Sequence, residues 1–125
     1  MIFDTDVVVW ILRGDKRAAH VAQEDEERLL SVQSYMELMQ SAGNKRQLES
    51  AKAFLSEFGF GILPLTENIG HRAAVYIEEY SLSHGLRAGD AIVAATAGEN
   101  GLTLCTANEK HFRPIRDLKL KVFRP

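Results

Sequence analysis

Four short stretches of this sequence carry side-chain oxygens at places where an α/β fold does its chemistry. Asp4 follows the apolar pair Ile2 and Phe3, so it closes a first strand just ahead of a helix read from Asp6 to Leu12. A carboxylate at the C-terminal edge of an opening strand faces the crevice in which α/β sheets bind ligands. Acids recur at the expected starts of later helices, in Ser34-Tyr35-Met36-Glu37, Gly89-Asp90-Ala91 and Thr106-Ala107-Asn108-Glu109. Brought together, these side chains form a cage of hard oxygen donors suited to a divalent cation. The chemistry this predicts is metal-assisted reaction at phosphate.

Each acid has a purely structural use to be weighed against that reading. An Asp ahead of a helix caps its free N–H groups. Asp6 is available for that task, which leaves Asp4 for function. Ser34-x-x-Glu37 is the pattern of a capping box, in which the Glu bonds back to the cap residue. Asp90 opens Asp90-Ala91-Ile92-Val93-Ala94-Ala95-Thr96-Ala97, a small, apolar helix that packs deeply, so its carboxylate needs a partner or a metal. A first-turn position near the positive end of the helix dipole also suits it. Asn108 is a residue type common in turns; its amide oxygen is placed to orient a water, and Glu109 beside it is the alternative oxygen ligand at this strand end.

Other chemistries lack their residues. His20, His71, His84 and His111 are scattered, with no i,i+4 pair for zinc, and neither a nucleophile elbow nor a glycine-rich phosphate loop occurs. Cys105 is the only cysteine; it lies in the apolar run Leu102 to Cys105 and reads as a buried core thiol. One cysteine makes no internal disulfide and no thiolate zinc site. No stretch approaches the ~20 apolar residues of a membrane span, and an acid at position 4 does not suit a signal peptide. The expected compartment is the cytoplasm.

The 125 residues, 46% hydrophobic and 26% charged, suit one domain over residues 1–125 with a real core. A net charge of −2 disfavours non-specific coating of nucleic acid. The distribution is uneven: Lys110, Arg113, Arg116, Lys119, Lys121 and Arg124 crowd the C-terminal end with Asp117 the only acid among them. The simplest use is a solvated face; the functional one is a grip on a phosphate backbone.

Periodicity and caps give alternating strands and helices. Strands are expected at 2–4, 29–32, 60–65, 102–106 and 120–123. Helices are expected from Asp6, from Asp15, from Ser34 to about Gly43, over 45–58 with Gly59 as its stop, from Thr66 to about His84, and over 88–99. The fold class is α/β, a short, mostly parallel central sheet flanked by helices.

In this order, the segments Asp4-Thr5-Asp6-Val7-Val8, Ser34-x-x-Glu37-Leu38, Leu86 to Ala97 and Leu102-Thr103-Leu104-Cys105-Thr106-Ala107-Asn108-Glu109-Lys110-His111-Phe112 resemble the PIN-domain ribonucleases, specifically the VapC-type toxins of bacterial toxin–antitoxin pairs. The resemblance spans nearly the whole chain. It implies a PIN-like fold and a metal-dependent endoribonuclease toxin that hydrolyses RNA phosphodiester bonds. It puts Asp4, Glu37 and Asp90 on the family's three best-kept acids and Asn108 where many members have a fourth. Asp4 and Asp90 would hold Mg²⁺ or Mn²⁺, Glu37 would bind it through water or act as base, and Asn108 would fix the attacking water. Lys110 and Arg113, with Arg116 beside them, would hold flanking phosphates. Implied partners are RNA, a cognate antitoxin and a second copy of the chain. Two rivals remain: a catalytically weak PIN-like binding module, and a dehalogenase-like phosphatase, whose motif Asp4-x-Asp6 mimics although Val7 stands where that motif has Gly. A receiver domain is excluded, because no Asp lies between positions 26 and 89.

Overall fold

Five strands pair in the order β3-β2-β1-β4-β5, every pair parallel. The computed structural model describes residues 1–125. In chain order the elements are β1 (Ile2–Phe3), α1 (Thr5–Leu12), α2 (Lys16–Gln23), β2 (Arg28–Ser31), α3 (Val32–Gln40), α4 (Lys45–Phe58), β3 (Phe60–Leu63), α5 (Glu67–His84), α6 (Ala88–Glu99), β4 (Leu104–Thr106), α7 (Glu109–Phe112) and β5 (Leu120–Val122). The chain builds outward from β1 to β2 and β3, then crosses to the other side for β4 and β5. The order therefore reverses between β1 and β4, the switch point at which an open α/β sheet leaves a crevice.

Parallel strands need long crossovers and are covered on both faces, so their residues are apolar on both sides. Alternation sorts them. Ile2 and Leu104 are paired in register and face α5, α6 and Phe112 on one side. Phe3 and Cys105, the next pair, face α1 to α4 on the other, with Val7, Val8, Leu30, Leu38 and Leu55. Ile2, Phe3, Leu104 and Cys105 are wholly buried, which fixes β1 and β4 firmly and with them whatever follows each strand.

The expected helices over 45–58 and 88–99 have those bounds, and Asp15 and Thr66 cap α2 and α5 by accepting from Ala18 and Ile69 N–H. Four of the five strands are shorter than expected, and β2 keeps its length but sits one residue earlier. β3 stops at Leu63 because Pro64 has no N–H for a ladder. β2 stops at Ser31, which turns from strand to helix and caps α3. A short helix, α7, follows β4 where Thr106-Ala107-Asn108-Glu109 was expected to open one, and it runs for only four residues. Gly59 ends α4 in the left-handed region (φ +84°). Arg28 clamps this corner: Nε donates to Phe58 O (2.8 Å) and Nη1 to Asp25 O (2.8 Å), beside the Phe58 ring.

Candidate active site at the sheet switch point

Asp4 leaves β1 at its buried end. Its backbone N–H donates to Cys105 O (2.9 Å), continuing the β1–β4 pairing, and its carboxylate then turns into the start of α1. Oδ1 accepts from Thr5 N–H (2.8 Å) and Oδ2 from the Thr106 hydroxyl (2.8 Å). Asp4, not Asp6, is thus the N-cap of α1, and the helix begins one residue earlier than the sequence reading had it. The cap expected of Asp6 is made by Asp4, which has more to do than cap. It is 9% exposed, and burial, followed by the charge of Asp6, pushes its carboxyl up to about 7 against the hydrogen bonds from Thr106 and Thr5.

Asp6 sits in the first turn of α1, aimed at the end of β4. Oδ2 accepts from Ala107 N–H (3.2 Å) and lies 3.5 Å from the Thr106 hydroxyl. Oδ1 is buried with no hydrogen-bond partner. Burial raises this carboxyl too, opposed by the Ala107 and Val7 amides, with Asp90's charge adding a smaller push. Thr106 is the hub between them: wholly buried, it donates to Asp4 and accepts from Asn108 N–H (2.9 Å). Neither Asp6 nor Thr106 was among the expected site residues. Asp6 was assigned to capping, and Thr106 was read only as the end of a strand.

Glu37 is not part of a capping box. The cap of α3 is Ser31, whose hydroxyl accepts from Ser34 N–H (3.0 Å), so Glu37 lies in the middle of the helix. Its carboxylate accepts from Gln33 (3.2 Å) and faces the first turn of α6: a Cβ on Gly89 would stand 3.7 Å from Glu37 Oε1. Asp90 is the next residue of that turn. Gly89 therefore lets α3 and α6 approach where both carry their acids. Asp90 Oδ2 lies 3.1 Å from His111 Nδ1, and the same nitrogen is 2.8 Å from the Asn108 side-chain amide nitrogen. His111 is the third residue missed; its spacing of three from Asn108 on α7 was the available signal.

The basic end divides. Glu109 is paired with Arg113 and, at 3.1 Å, with Arg124, so the alternative ligand at the β4 end is held by two guanidiniums, while Asn108 and Asp90 meet at His111 Nδ1. Lys110 is exposed and makes no ion pair; Arg113 is exposed but engaged with Glu109. Cys105 is buried and pushed up to about 11, an inert thiol.

The donor set suits a hard cation. It is all oxygen, its buried members carry raised pKa values chiefly through desolvation by burial, with neighbouring carboxylate charge adding to it, and Asp6 Oδ1 is a buried acceptor with nothing to accept from. No three His, Cys, Asp or Glu side chains already stand as a closed ligand shell. The largest hollow, about 1020 Å³, lies elsewhere, between the end of α1 and helices α3 and α4. No helix is long and apolar enough to cross a membrane.

The family model of the PIN domain matches residues 1–118. The chain belongs to the PIN-domain family. This PIN domain is 33% identical over 123 residues to Ribonuclease VapC10 of Mycobacterium tuberculosis (strain CDC 1551 / Oshkosh), covering 95% of this chain and 90% of that relative. Among solved structures, it superposes on a toxin–antitoxin complex from Klebsiella pneumoniae with a TM-score of 0.79 at 27% identity, covering 94% of this chain and 93% of the other. FitAcB from Neisseria gonorrhoeae gives 0.70 at 25% identity, covering 95% and 94%. VapBC2 from Rickettsia felis, bound to a DNA fragment from its promoter, gives 0.80 at 21% identity over 99% and 100%, a likeness of fold.

Proposed function

We propose that this PIN domain, acting as one unit over residues 1–125, is a VapC-type endoribonuclease toxin that hydrolyses RNA phosphodiester bonds. The observation that carries this is the convergence of Asp4 and Asp6 from the start of α1, Asp90 from the start of α6 and Glu37 from the face of α3 onto one sheet edge, with the buried Asp4 and Asp6 carboxylates driven upward in pKa by desolvation and then by neighbouring charge. The 33% identity to a ribonuclease over nearly the full chain supports the substrate class.

Asp4 and Asp90 would hold Mg²⁺ or Mn²⁺, with Asp6 Oδ1 a further oxygen in reach of the buried side of the site. A divalent cation bound there supplies positive charge that lowers the pKa of water and offsets charge building on the phosphate. The chain's own residues do the rest. Thr106 fixes the Asp4 carboxylate by its hydroxyl, and Thr5 N–H fixes the other oxygen. Glu37, partly buried and bonded only to Gln33, is the carboxylate free to take a proton from the attacking water. Asn108 borders the site on the α7 side. Lys110 offers an unpaired cation to a flanking phosphate, and Arg113 serves there only by leaving Glu109.

The toxin–antitoxin complex from Klebsiella pneumoniae, 27% identical, supports a cognate antitoxin as partner; a homodimer acting in the cytoplasm completes the proposal as what the family resemblance implies. The test is cleavage of total cellular RNA by purified protein with Mg²⁺ or Mn²⁺ and with EDTA, beside Asp4→Asn and Asp90→Asn proteins. Metal-dependent cuts, lost in both variants, are expected. Identical behaviour of all three proteins on every RNA would overturn the reading in favour of a binding module.

A further inference from the structure

His111 carries one ring nitrogen that two groups want in opposite states. Nδ1 stands 3.1 Å from Asp90 Oδ2 and 2.8 Å from the Asn108 side-chain nitrogen. A ring nitrogen bears either a proton or a lone pair. A carboxylate oxygen only accepts, so contact with Asp90 needs the proton on Nδ1; an amide N–H needs the lone pair. A half-turn of the Asn108 amide exchanges its oxygen and nitrogen without changing its shape. One Nδ1–H then faces two acceptors, Asp90 Oδ2 and the Asn108 amide oxygen, and no contact is repulsive. The reverse choice sets a ring lone pair against a carboxylate at 3.1 Å, and a charged acceptor makes the stronger hydrogen bond.

We propose that His111 is a positioning residue of this site: its Nδ1–H holds Asp90 by Oδ2 and turns the Asn108 amide oxygen toward the ring. The inference rests on the reading of Asp90 as a cation ligand given above. It has a specific consequence. With Oδ2 held by His111, Asp90 presents Oδ1 in a fixed direction. With its oxygen facing the ring, Asn108 is left with N–H groups to offer, so it meets RNA as a donor to phosphate oxygen and not as an oxygen ligand to the cation. His111 does this from the third residue of α7, a helix anchored by wholly buried Phe112 beside it.

Two measurements test the role, and neither needs RNA. In ¹⁵N-labelled, metal-free protein, long-range ¹H–¹⁵N correlation reads which His111 nitrogen carries the proton; Nδ1–H is expected, and a bare Nδ1 overturns the proposal. Mn²⁺ binding, followed by the loss of the free-ion electron paramagnetic resonance signal, should weaken by about 10–100-fold in His111→Ala, the usual cost of removing a group that orients a ligand. His111→Asn places an amide nitrogen where Nδ1 stood and should recover most of the affinity. His111→Gln places it near Nε2 and should not. Mn²⁺ affinity unchanged in His111→Ala, or equal in the Asn and Gln variants, overturns the role. Should His111→Ala fail to fold, as a melting curve would reveal, the wild-type ring spectrum and the Asn–Gln contrast decide. Wild-type protein that binds Mn²⁺ with Nδ1–H but cuts no RNA would sink the nuclease reading alone. RNA cleavage by a protein whose Mn²⁺ affinity ignores position 111 would sink this inference alone.

Discussion

Without metal, this protein should lose stability as pH rises from about 4 to about 7, the range between the unfolded and folded pKa of Asp4. The ordinary value of that carboxyl is 3.8, and burial beside Asp6 raises it to about 7 in the fold. Between these values the folded chain keeps a proton that the unfolded chain has released. Stability is therefore greatest below the lower value and falls until the upper one is passed. A gap of about 3 units at ~1.36 kcal/mol each amounts to about 4 kcal/mol. Asp6 moves in the same direction for the same reason of burial, but the repulsion is shared, so the two do not simply add. A bound cation needs both carboxylates ionised, so saturating Mg²⁺ or Mn²⁺ should stabilise most above pH 7 and flatten or reverse the slope, by about 2.7 kcal/mol at a hundred times Kd. The assay is urea unfolding followed by circular dichroism across this pH range, with EDTA and with Mg²⁺. Asp4→Asn should abolish most of the slope and leave the metal-free protein more stable at about pH 8. The amide oxygen still accepts from Thr5 N–H, and Thr106 can turn its hydrogen toward Asp6 Oδ2, 3.5 Å away. Metal-free wild type gaining stability from pH 4 to 7, or Asp4→Asn weaker than wild type at pH 8, would refute the reasoning.

Thr106→Val keeps the shape but deprives Asp4 Oδ2 and Asn108 N–H of their partner; a loss of about 1–3 kcal/mol for each orphaned group is expected in urea unfolding. Gly59→Ala puts a side chain at φ +84° and a Cβ 3.2 Å from Arg28 Nη2, so it should cost at least the ~1–2 kcal/mol of a left-handed non-glycine residue, read from the same unfolding curves. Lys110→Ala should weaken RNA binding evenly across sequences and lower the salt slope by about 1, whereas Arg113→Ala should change it less because Glu109 already holds that guanidinium. Equal slopes in the two variants would show that the pairing with Glu109 does not persist when RNA binds.

The longer helices were legible in the sequence: α4 has its expected bounds from 14 residues of amphipathic pattern ending at Gly59, and α6 from 12 alanine-rich residues closed by Gly101. Helix starts were harder. Three candidate caps crowd Asp4-Thr5-Asp6, and Ser31 and Ser34 compete three residues apart; which one caps depends on where the preceding strand ends, and that is set by pairing partners distant in the chain. The same limit hid Thr106 and His111. Asp4, Asp90 and Asn108 stand out in the sequence because acids and amides at helix starts are conspicuous; Glu37 drew attention on the same ground although it lies mid-helix. A threonine closing a strand and a histidine on a four-residue helix acquire meaning only when β4 is laid beside β1 and α7 beside α6.

Thr106 accepts from the backbone of Asn108, not from its side chain, while it donates to the side chain of Asp4. The two positions therefore differ in their freedom to drift. An exchange of amide for carboxylate at 108 leaves every bond of the hydroxyl in place, and its effect falls on charge and on His111 alone. The same exchange at position 4 forces the hydroxyl to reverse its donor and acceptor roles and passes the change on to Asp6. The effects of substitutions at 4 and 6 should therefore be non-additive, coupled through one hydroxyl, whereas the residue at 108 is a separate dial on the negative charge of the site.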